Sequence, residues 1–99
     1  MTLQEQVKTA ILQIEPGASV VMFGSRARGD ARPNSDWDFL ILTDLEVDHA
    51  LKRSIWNQLY TLELHTGEVI HSLIAQRDAW EKSDSWPIRR EITKEGQVL

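Results

Sequence analysis

The chain has 99 residues, of which 41% are apolar and 26% charged, and it contains no cysteine. That composition excludes disorder, collagen-like repeats, disulfides, thiolate zinc sites and cysteine nucleophiles. A formal net charge of −4 argues against a broad nucleic-acid footprint, which needs a basic surface, and no apolar run approaches the roughly 18 residues of a membrane span.

The length fits one domain, expected over residues 1–99. Met1-Thr-Leu-Gln-Glu5 is polar and acidic, unlike a signal or transit peptide, so a soluble cytoplasmic protein is expected. Thr2 and Glu5 fit a capping box, and Leu3, Val7, Ala10, Ile11 and Ile14 recur at helical spacing. Pro16-Gly17 ends this first helix. Ala18 to Phe23 is a β-branched and aromatic run that predicts a buried strand, stopped at Gly24-Ser25. Arg26 to Pro33 is polar, with room for a helical turn or two and a loop.

Asp36 to Leu42 predicts a second strand. Strand side chains alternate, so Asp36, Asp38, Leu40 and Leu42 share one face, and Trp37, Phe39 and Ile41 the other. Asp44 or Asp48 can cap the next helix, whose apolar stripe is Val47, Leu51, Ile55, Leu59 and Leu62, with Gly67 as its stop. Glu68 to Ala75 predicts a third strand, followed by a polar stretch from Arg77 to Asp84 interrupted by Ala79 and Trp80. Trp86-Pro87 opens a last helix through Glu95, with Gly96 beyond it. Gln97-Val98-Leu99 reads as a tail or a strand.

The helical crossover makes strands two and three parallel, whereas the short link between strands one and two suits an antiparallel pair. One sheet edge then collects Gly24-Ser25, Asp36, Asp38 and Glu68. Aspartate is depleted in strands, and two carboxylates at i and i+2 repel unless a positive charge sits between them. A Mg²⁺ ion held by both carboxylates and by substrate phosphates would relieve that repulsion. Gly24 lets the backbone approach a phosphate, and Ser25 adds a hydroxyl donor. Arg26 and Arg28 read either as solvated loop charges or as phosphate partners. Trp37 reads as core. Trp56, Trp80 and Trp86 read either as caps on a small core or as a protein interface.

The stretch Phe23-Gly-Ser-Arg-Ala-Arg-Gly-Asp-Ala-Arg-Pro-Asn-Ser-Asp-Trp-Asp-Phe-Leu-Ile-Leu42 resembles the signature of the nucleotidyltransferase superfamily that includes DNA polymerase beta. Within it, the chain resembles the minimal nucleotidyltransferases, which often serve as antitoxins of HEPN-domain toxins. Ile88 to Gly96 is similar to the C-terminal helix of short members. The resemblance implies an α/β (α+β) fold of the polymerase-beta type, a small mixed sheet flanked by helices. It implies that Gly24 and Ser25 hold the β- and γ-phosphates of ATP or another NTP, beside which Arg26 and Arg28 are the candidate nucleotide-binding cations. Asp36 and Asp38 would bind Mg²⁺, with a two-metal site completed by a third carboxylate. The expected reaction is transfer of NMP, AMP foremost, to a hydroxyl on a HEPN-type toxin, releasing pyrophosphate. Phosphoryl transfer of this kind asks the protein for positioning and charge neutralisation.

Glu68 is the candidate third carboxylate for the metal and catalytic roles, but a one-residue slip would reverse its face, and it also reads as a solvated residue after the Gly67 stop. His71 reads as a core or surface histidine rather than a base. Should neither serve, a catalytically weak antitoxin acting by binding is the alternative. Transfer to a small-molecule hydroxyl ranks behind both, because a second domain to build the acceptor pocket is missing.

Overall fold

The computed structural model describes residues 1–83 and 86–99. Helix α1 (Leu3–Ile14) opens with the capping box foreseen at Thr2 and Glu5, each side chain bonded to the other's backbone. Strand β1 (Ser19–Phe23) runs into the single turn of α2 (Ser25–Arg28), and β2 (Trp37–Thr43) follows after a loop. Helix α3 (His49–Thr66) starts on Asp48, whose carboxylate accepts from the Leu51 N–H, and closes at Gly67. Strand β3 (Ile70–Gln76) passes directly into α4 (Arg77–Lys82). Helix α5 (Arg89–Glu95) and a two-residue strand β4 (Gln97–Val98) complete the chain.

Several elements differ from the sequence expectation, α5 among them, which begins at Arg89 rather than at Trp86-Pro87. Strand β2 begins at Trp37 rather than Asp36, and β3 at Ile70 rather than Glu68, because the Gly67 turn occupies the residues just before it. The stretch from Arg77 holds a short helix, made amphipathic by Trp80, which is buried. The end of that stretch, Asp84, lies outside the described residues.

The described strands form one mixed sheet in the order β3-β2-β1-β4. Strands β1 and β2 are antiparallel, β2 and β3 parallel, as the connection lengths require. Both sheet faces are covered. On one, α1 and α3 bring Val7, Ile11, Ile55 and Leu59 onto Val20, Met22, Phe39, Ile41, Ile70 and Ile74. On the other, Trp80 and Ile92 from α4 and α5 pack on Val21, Phe23, Leu40, Leu42 and Ala75. A strand buried on both faces must be apolar at every position, which is why β1 and β2 read as near-continuous hydrophobic runs. Trp80 and Trp86 lie against each other, centroids 5.5 Å apart, on this second core. Trp56 remains on the solvent side of α3, 47% exposed. Among the described residues no helix is long and apolar enough to cross a membrane.

The C-terminal elements close against β1 at Gly96. A methyl group there would stand 2.5 Å from the Ile92 carbonyl oxygen and 2.7 Å from Val21 Cγ1. Gly96→Ala is therefore expected to cost about 1–3 kcal/mol, the usual penalty of overpacking, read as a lower midpoint in urea unfolding with an unchanged slope.

Candidate active site

The site is assembled at the end of β1 and the start of β2. Register pairs Phe23 with Asp38, so the chain leaving β1 turns directly beside the Asp38 side chain. Gly24 makes that turn at φ 76° and ψ −160°, a region open essentially to glycine alone. A Cβ on Gly24 would run into Asp38 Oδ2. The lack of a side chain thus lets backbone and carboxylate share one small space. Ser25 then starts α2, and the N–H groups of Ser25 and Arg26 have no partner within so short a helix. The corner is held from the C-terminal side. Arg28 Nη1 donates to Glu95 Oε1 at 3.1 Å, and Gln97 Nε2 donates to the Ala27 carbonyl at 2.9 Å.

Asp36 and Asp38 face the same way, as their spacing predicts, and His71 reaches both. His71 Nε2 stands 3.6 Å from Asp36 Oδ2, and Nδ1 stands 3.5 Å from Asp38 Oδ1. The parallel register pairs His71 with Asp38, which fixes its face. Burial pushes the Asp38 carboxyl above its ordinary range, and the charge of Asp36 pushes the same way, while His71 and Arg28 oppose them. Arg28 is itself engaged by Asp30 and Glu95. Two carboxylates, one of them disfavoured by burial, present hard oxygen donors toward the glycine corner. That donor set fits a divalent cation of the Mg²⁺ class whose remaining ligands come from phosphates and water. Among the described residues no group of three or more His, Asp or Glu side chains is arranged to hold a metal ion unaided.

Glu68 is not brought to the pair. Its Oε2 accepts from the Trp37 indole N–H at 3.1 Å and lies 3.8 Å from Arg26 Nη2. Trp37 points to the opposite face of β2, so the structure does not join Glu68 to Asp36 and Asp38, contrary to the expectation of a third carboxylate there. The cause is register: the parallel ladder seats Ile70 beside Trp37, and Glu68, two residues earlier, follows the Ile70 side. Arg26 also differs from its expected phosphate role. Its guanidinium lies 4.2 Å from the Trp37 ring centre, and Nη2 donates to the Ser35 carbonyl at 2.8 Å. Stacked and largely buried, it braces the loop that delivers Asp36. Sequence reading missed both this brace and the placement of His71. The signal for His71 was present in β3 itself, since Leu73 and Ala75 pack with Leu40 and Leu42, and residue 71 shares their parity.

Two outcomes are expected. Gly24→Ala should cost about 1–3 kcal/mol for the forced backbone alone, measured by denaturant unfolding. Asp38→Asn should stabilise the metal-free protein at pH 7. A carboxyl whose folded pKa is raised contributes stability at low pH that is lost as pH rises through the folded value, so its ionised form is a burden at neutrality. The gain in Tm should be largest at pH 7 and vanish below pH 3.8, the ordinary carboxyl value.

Residues 4–99 match the family described as Nucleotidyltransferase domain. A protein of Methanocaldococcus jannaschii named "putative protein adenylyltransferase" is 32% identical over 80 residues, covering 81% of this chain and 75% of that protein. Among solved structures, a toxin-antitoxin with AMP-PNP superposes with a TM-score of 0.71 at 14% identity, covering 98% of this chain and 72% of that one. An MntA-HpeT toxin-antitoxin with two aspartate-to-glutamate substitutions gives a TM-score of 0.70 at 12% identity, covering 98% of this chain and 72% of that one. An MntA-HpeT tyrosine-to-alanine mutant gives 0.70 at 16%, covering 100% and 72%. At these identities the structural likeness is one of fold, and the family follows from the sequence match. This chain belongs to the nucleotidyltransferase domain family, transferases of phosphorus-containing groups.

Proposed function

We propose that the protein transfers AMP from ATP, with a divalent cation of the Mg²⁺ class, to a hydroxyl on a partner toxin of the HEPN type. The observation that carries this reading is the Asp36–Asp38 pair set against the Gly24 corner. Its support from relatives is of two kinds. The archaeal relative is named for protein adenylylation, and the fold neighbours are toxin-antitoxins, one with AMP-PNP.

In this reading the N–H groups that follow Gly24, with the Ser25 hydroxyl, bind the β- and γ-phosphates. Asp36 and Asp38 hold the cation, which when bound neutralises phosphate charge. The acceptor oxygen forms a bond to the α-phosphorus, the bond from that phosphorus to the bridging oxygen of pyrophosphate breaks, and the hydroxyl proton passes to solvent. The protein's contribution is position and electrostatics. Arg26 holds the Pro33–Ser35 loop by its carbonyls and so keeps Asp36 in register with Asp38. Arg28 keeps α2 in place through Glu95.

One observation favours a second reading. The β3 residue facing the aspartates is His71, not a carboxylate, which suits an antitoxin whose chemistry is weak and whose protection comes from binding. A double variant, Asp36→Asn with Asp38→Asn, separates the two. Transfer of label from α-labelled ATP to the toxin should fall at least 100-fold, and protection of cells co-expressing the toxin should be lost with it. Unchanged transfer overturns the enzymatic assignment. Protection that persists without transfer favours binding alone.

A further inference from the structure

We infer that this chain holds one divalent cation with its nucleotide, not two, and that His71 sets the number. The inference rests on the nucleotidyltransferase reading above and deepens it. Two-metal phosphoryl-transfer sites place their ions about 3.5–4 Å apart and stabilise the attacking and leaving oxygens together. The second ion needs anionic oxygen beyond what one pair of carboxylates supplies. The residue of β3 that the parallel register sets beside Asp38, within reach of both aspartates, is His71. Its two ring nitrogens stand 3.5 Å and 3.6 Å from the carboxylates, filling the ground between them with a nitrogen donor. Imidazole carries no negative charge and is a poor ligand for hard cations of the Mg²⁺ class.

The other carboxylates described near this end of the sheet are engaged elsewhere, Asp30 and Glu95 by Arg28. Glu68 is bound to the Trp37 indole on the opposite face. Reaching the aspartates would require it to leave that hydrogen bond and the neighbouring Arg26 and to cross the sheet. Asp30 is paired with Arg28 at 3.2 Å. The described residues thus offer two carboxylates facing the glycine corner, enough for one divalent ion shared with phosphates.

The experiment counts ions directly. Mn²⁺, which accepts the same oxygen ligands, is titrated by electron paramagnetic resonance into the full chain holding a non-hydrolysable ATP analogue. The expected count is one bound Mn²⁺ per chain with the spectrum of an isolated ion. His71→Asp and His71→Glu change a residue whose side chain is 61% exposed, so the core is untouched. At least one of them should bind two Mn²⁺ with the splitting of a coupled pair. Two ions in the unsubstituted chain, or fewer than two in both variants, overturns the inference. Failure to bind the nucleotide analogue at all would sink the parent reading and this one with it. Nucleotide binding with two ions in the unsubstituted chain would sink only this one.

Discussion

Everything at the candidate site follows from placing two like charges side by side where one strand begins. The β2 ladder fixes Asp38, which is paired with Phe23 on one side and His71 on the other, and Asp36 stands two residues before it, just ahead of the strand. Asp38 carries a strain in consequence, from burial first and from the charge of Asp36 after it. Residues that reduce this strain are few and incompletely placed. His71 is mostly exposed, and Arg28 is shared with Asp30 and Glu95. The arrangement leaves the negative potential of the pair only partly neutralised by the residues around it.

The rest of the molecule serves to keep this pair in place. A sheet covered on both faces holds β1 and β2 against sliding, because a slip of one residue would exchange the two cores. Phe39 and Ile41 belong to the α1–α3 side, and Leu40 and Leu42 to the α4–α5 side. The same alternation that puts apolar groups into both cores puts the aspartates together at the strand's start. The small C-terminal elements then act at a distance of one contact. Glu95 and Gln97 hold α2, Gly96 lets them approach β1, and α2 carries the glycine corner.

The loop before β2 shows how an ordinary-looking residue acquires a function through its neighbours. Arg26 follows the Gly-Ser corner, where a phosphate role is the natural reading of a cation. Trp37 offers a broad aromatic face, however, and two loop carbonyls lie within reach of the guanidinium. A planar cation is stabilised more by stacking and fixed carbonyls than by solvent. Glu68 joins the same cluster through the indole N–H. Arg26, expected at a phosphate, and Glu68, expected at a metal, thus both join the cluster behind the loop that carries Asp36.

The amino-acid sequence alone determined the order of α1, β1, β2, α3, β3 and α5, the capping box at Thr2 and Glu5, the glycine stop after α3, and the sharing of one face by Asp36 and Asp38. These are local properties, set by side-chain period, capping chemistry and backbone freedom within a few residues. Connection lengths added strand directions, since a helix of α3's length carries the chain across the sheet. Which β3 residue meets the aspartates was decided only in three dimensions. His71 and Asp38 are far apart along the chain, and their pairing depends on a register that the packing of Ile70, Leu73, Ile74 and Ala75 selects between two faces. Glu68 and Ile70 share one parity and His71 the other, so the register that seats Ile70 beside Trp37 sends the carboxylate to the opposite face and sets an imidazole beside Asp38.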